Sequence, residues 1–216
     1  MKSPKKSSRR KSSRSSARRS GRSAGQDAVA LLKADHRKVE GLFKKAEKAK
    51  GGAKERLVAQ ICNELIIHTM LEEEIFYPAC RNEHVEEDMM DEAQVEHDGA
   101  KVLINDLMQA GSDSPMYDAK VMVLSEYIKH HVKEEEKART GVFAEAKKKG
   151  ADMKAVGAEL KARKIELMRQ AEGDGLPPPE PKSMSMAAKR SNGAARESGM
   201  GRLRTMAIAA KRATVG

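Results

Sequence analysis

His68 and Glu72 stand four residues apart, and His131 and Glu135 repeat that spacing further along the chain. On a helix, residues four apart share one face with Cβ atoms ~5–6 Å from each other, so both side chains can reach one metal ion. A chain that carries this pair twice is constrained to a helical fold that brings two such faces together.

The surrounding periodicity is helical throughout. Asp27 is placed to cap a first helix, whose inward line is Val29, Leu32, His36, Val39 and Phe43, and Gly51-Gly52 is expected to end it. The second line is Val58, Ile61, Leu65, His68, Glu72 and Ile75, with Pro78 near its end. The third is Met90, Ala93, His97, Ala100, Ile104 and Leu107, stopping at Gly111. Ser114 as cap and Pro115 at the first helical position are expected to open the fourth, which reads Val121, Leu124, Ile128, His131 and Glu135. Alternating steps of three and four predict an all-α chain, an up-down-up-down four-helix bundle with short loops. A fifth amphipathic segment, Met153, Val156, Leu160 and Leu167, is expected to pack outside or to continue the fourth helix after a break near Gly141.

His36, His68, Glu72, His97, His131 and Glu135 all fall on inward positions of those lines. A lone inward histidine is ordinarily a satisfied core residue, but here four helices each bring one and two add a carboxylate. A buried unpaired polar group costs on the order of 1–3 kcal/mol, so six without a shared partner would threaten a fold of ordinary stability. One or two metal ions would satisfy all of them. His130/Glu134 has the same spacing as His131/Glu135, but Leu124 and Ile128 set the inward phase, and that phase reaches His131. His130 is about 100° round the helix and His84 lies in the acidic loop from Glu83 to Asp88, so both are expected in solvent.

Imidazole and carboxylate without thiolate favour iron, manganese or zinc and argue against a structural Cys-type zinc site. Two carboxylates from opposite helices can bridge a pair of metals. The Glu-x-x-His of ferritin-like di-iron sites is absent, since Lys33, Leu65, Gln94 and Ile128 precede the four histidines by three; so is a Cys-x-x-Cys-His haem attachment.

The set Asp35-His36, His68-x-x-x-Glu72-Glu73 with Phe76 and Pro78, Glu96-His97, and His130-His131-x-x-x-Glu135-Glu136 resembles the hemerythrin-like (HHE) cation-binding domain. The resemblance spans roughly residues 26–170. It implies a non-haem di-iron centre with about two iron ions per chain, His36, His68, His97 and His131 as terminal ligands, and Glu72 and Glu135 as bridges. Two positions depart from the oxygen-carrying members: Ala93 stands where they have a further histidine, and the last carboxylate is Glu135, four residues after its histidine, rather than an Asp five after. One coordination position is thereby left to water, a substrate or an unforeseen ligand.

Charge and composition organise the rest. Residues 1–25 hold ten Lys or Arg and no acid, and residues 183–216 hold seven basic residues and one acid, Glu197. Against the formal net charge of +10, this leaves residues 26–182 at about −6, so the basic character belongs to the tails. The expected division is a disordered Ser/Arg/Lys tail over 1–25, the bundle with its fifth helix over 26–172, and a Pro-rich linker with a basic disordered tail over 173–216. With no long apolar run there is no expected transmembrane helix, and two cysteines, Cys62 and Cys80, fit a reducing, cytoplasmic setting.

Two classes of function follow. In one, the centre binds or reacts with a small oxidant (oxygen, peroxide or nitric oxide) as a sensor, scavenger or stress protein. In the other, it holds iron for storage or structure while the tails dock on nucleic acid or an anionic surface through charge alone.

Overall fold

The computed structural model describes residues 27–183, and the two basic tails expected to be disordered lie outside these described residues. Seven α-helices follow in order: α1 (Ala28–Lys48), α2 (Gly51–Leu71), α3 (Tyr77–Asn82), α4 (Glu87–Gln109), α5 (Tyr117–Glu135), α6 (Val142–Lys149) and α7 (Met153–Glu172), with a wide π-helical turn at Glu72–Phe76 joining α2 to α3. Contacts run α1 to α2, α2 to α4, α4 to α5 and α5 to α1, which closes a ring of four. The ring is the four-helix bundle that the periodicity predicts. Apart from Ile75, the residues on the four inward lines are buried. No helix among the described residues is long and apolar enough to cross a membrane.

Several boundaries differ from the sequence reading, each for a local reason. Asp27 caps α1 as expected, its Oδ1 accepting from Ala30 N–H at 2.7 Å. Gly51-Gly52 does not end α1. That helix stops at Lys48, and Gly51, at φ +52°, supplies the left-handed corner from which α2 starts. Ser114 and Pro115 form a turn rather than the start of α5: Ser114 Oγ accepts from Gly111 N–H at 3.2 Å, and the helix begins at Tyr117 after Met116, at φ +61°.

The turn at Glu72–Phe76 has the largest consequence. Its i+5 hydrogen bond runs from Tyr77 N–H to Glu72 O. In a regular helix Tyr77 would lie about 140° round from Glu72, off the inward face. The wide turn brings it back over Glu72, so Phe76 and Tyr77 are buried and Ile75, expected on the inward line, is turned half out. Pro78 is a local cause, since it has no N–H to bond and its ring clashes with the carbonyl four residues back in a regular helix.

The fifth amphipathic segment is one helix, α7, and a short helix that the sequence reading did not expect, α6, precedes it. The break near Gly141 is present, and a side chain there would run into the backbone of Glu134, Glu135 and Lys137. The chain can therefore fold back tightly behind Glu135, and α6 follows. α7 then packs across α1 and α2 and buries Met153, Val156, Leu160 and Leu167. The Pro-rich stretch is no free spacer. Leu176 and Pro179 are buried, Asn105 donates to Pro179 O at 2.8 Å, and Asp98 accepts from Lys182 N–H at 2.7 Å and Ser183 Oγ at 2.7 Å. It is a strap along α4.

Candidate metal centre

The structure brings the six sequence-derived candidates together at the middle of the bundle. His36, His68, Glu72, His131 and Glu135 each offer a ligand atom within 4.8 Å of the others. His97 stands against this group, its Nε2 3.3 Å from both Glu72 Oε2 and His131 Nε2. The carboxylates are sealed, with Glu72 0% and Glu135 1% exposed. His130 lies outside, its side chain 59% exposed, so the pair that enters the core is His131/Glu135. His84 is on the surface as expected.

The imidazoles form two pairs. His36 and His68 approach through Nε2 at 3.0 Å, and His97 and His131 through Nε2 at 3.3 Å. Each carboxylate touches both pairs. Glu72 Oε2 is 3.1 Å from His68 and 3.3 Å from His97, and Glu135 Oε2 is 3.5 Å from both His36 and His131.

A second ring of carboxylates sets the direction of the histidines. His68 Nδ1 faces Asp35 of α1 at 4.0 Å, and His97 Nδ1 bonds Glu73 of the π turn at 3.0 Å. His131 Nδ1 bonds Glu96 of α4 at 2.9 Å, and His36 Nδ1 bonds Glu136, just past α5, at 2.8 Å. Each helix thus supplies a carboxylate to the histidine of the next, round the whole ring. In α1 and α4 that carboxylate precedes the helix's own histidine; in the other two segments it follows the helix's own inward Glu. Antiparallel order explains this, because a step back along an up helix and a step forward along a down helix turn the same way.

Three of the four outer carboxylates also face a cation, and the fourth, Glu96, faces the His130 imidazole. Asp35 meets Lys164 of α7, Glu136 meets Arg37 and Lys33, and Glu96 meets His130 at 3.2 Å. Glu73 meets Lys101 at 2.6 Å and Lys182 of the strap at 2.7 Å. Burial raises the Glu73 carboxyl, but His97, Lys101 and Lys182 outweigh it and hold the group at about 2.

Tyr77, absent from the sequence-derived set, also reaches the centre. Its hydroxyl donates to Glu135 Oε1 at 3.0 Å and lies 3.3 Å from His97 Nε2. Burial first, then the charges of Glu135 and Glu72, raise the phenol well above its ordinary range, so it keeps its proton. Phe143 of α6 stacks on His36 at 5.9 Å between ring centroids and covers that side.

The donor set fits a cation. In a neutral imidazole whose Nδ1–H is engaged by a carboxylate, which only accepts, Nε2 carries the lone pair a metal would take. In that form His97 Nε2, His131 Nε2 and Glu72 Oε2 aim lone pairs at one another in a buried space. Glu72 Oε1 and Glu135 Oε2 have no hydrogen-bond partner at all. The electrostatics of the bare cluster carry the same conflict. Burial and the neighbouring His68 push His36 down to about 3, whereas His68, despite burial, is raised to about 10 by Glu72 and Asp35. Burial and the Glu72 charge push the Glu135 carboxyl up, while for Glu72 the histidines outweigh burial and pull it down. Divalent cations at the lone pairs remove the conflict.

Removing one outer cation tests the wiring. Lys182→Ala is expected to speed loss of metal to a chelator a few-fold, below the ~10–100-fold cost of losing an outer-ring partner itself. Lys182 is 57% exposed, so the melting temperature of the metal-free chain should not move. A chelator time course beside a thermal melt checks both.

Residues 27–139 match the family model described as the hemerythrin HHE cation binding domain. Among solved structures, the crystal structure of a hemerythrin HHE cation binding domain-containing protein from Mycobacterium kansasii is similar, with a TM-score of 0.58 and 22% identity over 69% of this chain and 94% of that one. At that identity the likeness speaks for the fold alone. No curated protein matches the chain.

Proposed function

Since the chain belongs to the hemerythrin HHE cation-binding family, we propose that it is a non-haem di-iron protein that binds or reacts with a small oxidant: oxygen, peroxide or nitric oxide. In this reading His36 and His68 hold one ion, His97 and His131 the other, and Glu72 and Glu135 bridge. It would serve as a sensor, scavenger or stress protein. The observation that carries it is the convergence of His97 Nε2, His131 Nε2 and Glu72 Oε2 in one buried space, with each Nδ1 of the two histidines tied back to a carboxylate.

Two adjacent iron ions, when bound, supply redox chemistry that side chains lack. The protein's own contribution is arrangement. Glu136, Glu73 and Glu96, hydrogen-bonded to His36, His97 and His131, fix ring orientation and tautomer and raise ligand basicity. Tyr77 holds a proton on its hydroxyl at the edge of the centre, 3.0 Å from Glu135. A small cleft between α4 and α5 is lined by Ala93, Glu96, Thr140 and Val142 together with His131 and Glu135, so it borders the centre and suits a small molecule. The test is an optical spectrum of iron-loaded protein with and without peroxide. Ferric bands that respond to peroxide support the reading, and a spectrum indifferent to peroxide, oxygen and nitric oxide contradicts it.

Ala93 lines that cleft, 4% exposed and one turn before His97. Ala93→His is expected to narrow the cleft and slow the peroxide response, measured by stopped flow. An imidazole in place of a methyl group overpacks the core at ~1–3 kcal/mol, so a thermal melt must accompany the kinetics.

The tails favour an added role in docking. Ten basic residues without an acid in residues 1–25 suit weak, sequence-independent binding of duplex DNA. If about half of those charges meet phosphates, log affinity against log salt should slope near −4 to −5, and deleting residues 1–25 should flatten it. Binding and slope unchanged by the deletion would exclude this tail as the docking element.

A further inference from the structure

A second group of metal-ligating side chains lies outside the six core residues. Glu92, Glu96 and His130 each offer a ligand atom within 4.8 Å of the other two. The two glutamates are four apart on one face of α4, and His130 reaches across from α5, with Nε2 3.2 Å from Glu96 Oε1. Glu134, one turn after His130, lines the same cleft. The His130/Glu134 spacing, which the core does not use, therefore belongs to this outer surface.

Two of its members, Glu92 and Glu96, line the cleft described above. Ala93 lines the same cleft between Glu92 and Glu96 in sequence, and two core residues, His131 and Glu135, line it as well. Glu135 Oε2 is buried and has no hydrogen-bond partner. Glu96 links the two groups: Oε1 faces His130, while Oε2 accepts from Nδ1–H of His131.

We propose that Glu92, Glu96 and His130 form an outer divalent-cation site through which ions pass to the core centre; the transit half of this proposal rests on the core reading above. Two carboxylates and one imidazole offset the charge of a divalent first-row ion and match its ligand preference. His130 is 59% exposed and Glu96 19%, so water completes the shell and the ion exchanges readily. Weak, fast binding beside a buried, tighter centre is what a loading site requires. Carboxylates lining a low-dielectric cleft also raise the local concentration of cations.

Anaerobic equilibrium dialysis of the metal-free full chain against Fe(II) counts the ions. Chelator-quenched mixing with Fe(II) times their arrival. Wild type is expected to hold about three ions per chain, one of them weaker, and Glu92→Gln/His130→Ala about two. Both substitutions are on the surface and leave the core ligands and Glu96 in place. The variant should fill about 10-fold more slowly, the low end of what a focused field adds to an on-rate, and end with the same two tight ions. Three ions in the variant would overturn the outer site. Two ions at the wild-type filling rate would overturn the transit role. A wild type holding a single ion that the variant loses would uphold the outer site and contradict the core centre instead.

Discussion

His131→Ala is expected to strip metal from the centre, while His130→Ala, one residue away, leaves both core ions in place. The two side chains differ in direction alone. His131 is 2% exposed, with Nε2 3.3 Å from His97 and 3.5 Å from Glu135 Oε2; His130 points outward. Losing an outer-ring partner typically costs ~10–100-fold in metal affinity, so losing a terminal ligand should exceed about 100-fold. His131→Ala also leaves Glu96 without the imidazole it orients. The check is metal content after dialysis against a chelator, with circular dichroism confirming that each variant is folded. If His130→Ala strips the metal and His131→Ala keeps it, α5 is rotated from the arrangement described here.

Removing the metal should lower the melting temperature by roughly 8–16 °C. An ion present at ~1,000 times its dissociation constant stabilises by about 4 kcal/mol, and ~1 kcal/mol moves a chain of this size by about 2–4 °C. The buried cluster supplies the reason. Without a cation, Glu72 Oε1 and Glu135 Oε2 are buried without a hydrogen bond, and two carboxylates share one sealed space. The effect also has a pH sign. In the metal-free chain His68 is raised to about 10, above the ordinary imidazole value, so its proton contributes stability that is complete below ~6.5 and is lost as pH rises towards 10. Metal competes with that proton, so the gain on adding metal should grow between pH 6 and pH 8. Thermal melts with and without chelator at several pH values measure it. An unchanged melting temperature would mean the core satisfies itself through protons and hydrogen bonds.

Much of the fold could be read from the chain because the inward residues are spaced by three and four, a spacing that burial imposes on any packed helix. Each inward histidine and carboxylate sits on that rhythm, so the six core candidates followed from phase. Tyr77 did not, because the π turn changes the phase just after Glu72, and its cause is a turn geometry rather than a residue pattern. The outer carboxylates carried a partial signal. Asp35, Glu73, Glu96 and Glu136 are each next in sequence to a core residue, yet each serves a histidine on another helix, which only the closed ring reveals. Gly51 and Ser114-Pro115 mark real corners, but the same residue types open and close helices, so their side of the boundary was ambiguous. The strap was unreadable for a different reason. A Pro-rich stretch looks like a spacer until Asp98 and Glu73, far away in sequence, are seen to hold it.

Four histidines and two glutamates are proposed to hold a pair of iron ions. Metal analysis of the purified full chain, produced with ample iron, tests it most directly. About two iron ions per chain are expected to survive purification, the weak outer ion being lost, since the two imidazole pairs and the two shared carboxylates provide for two tight sites. Zinc alone at about one ion per chain would contradict it.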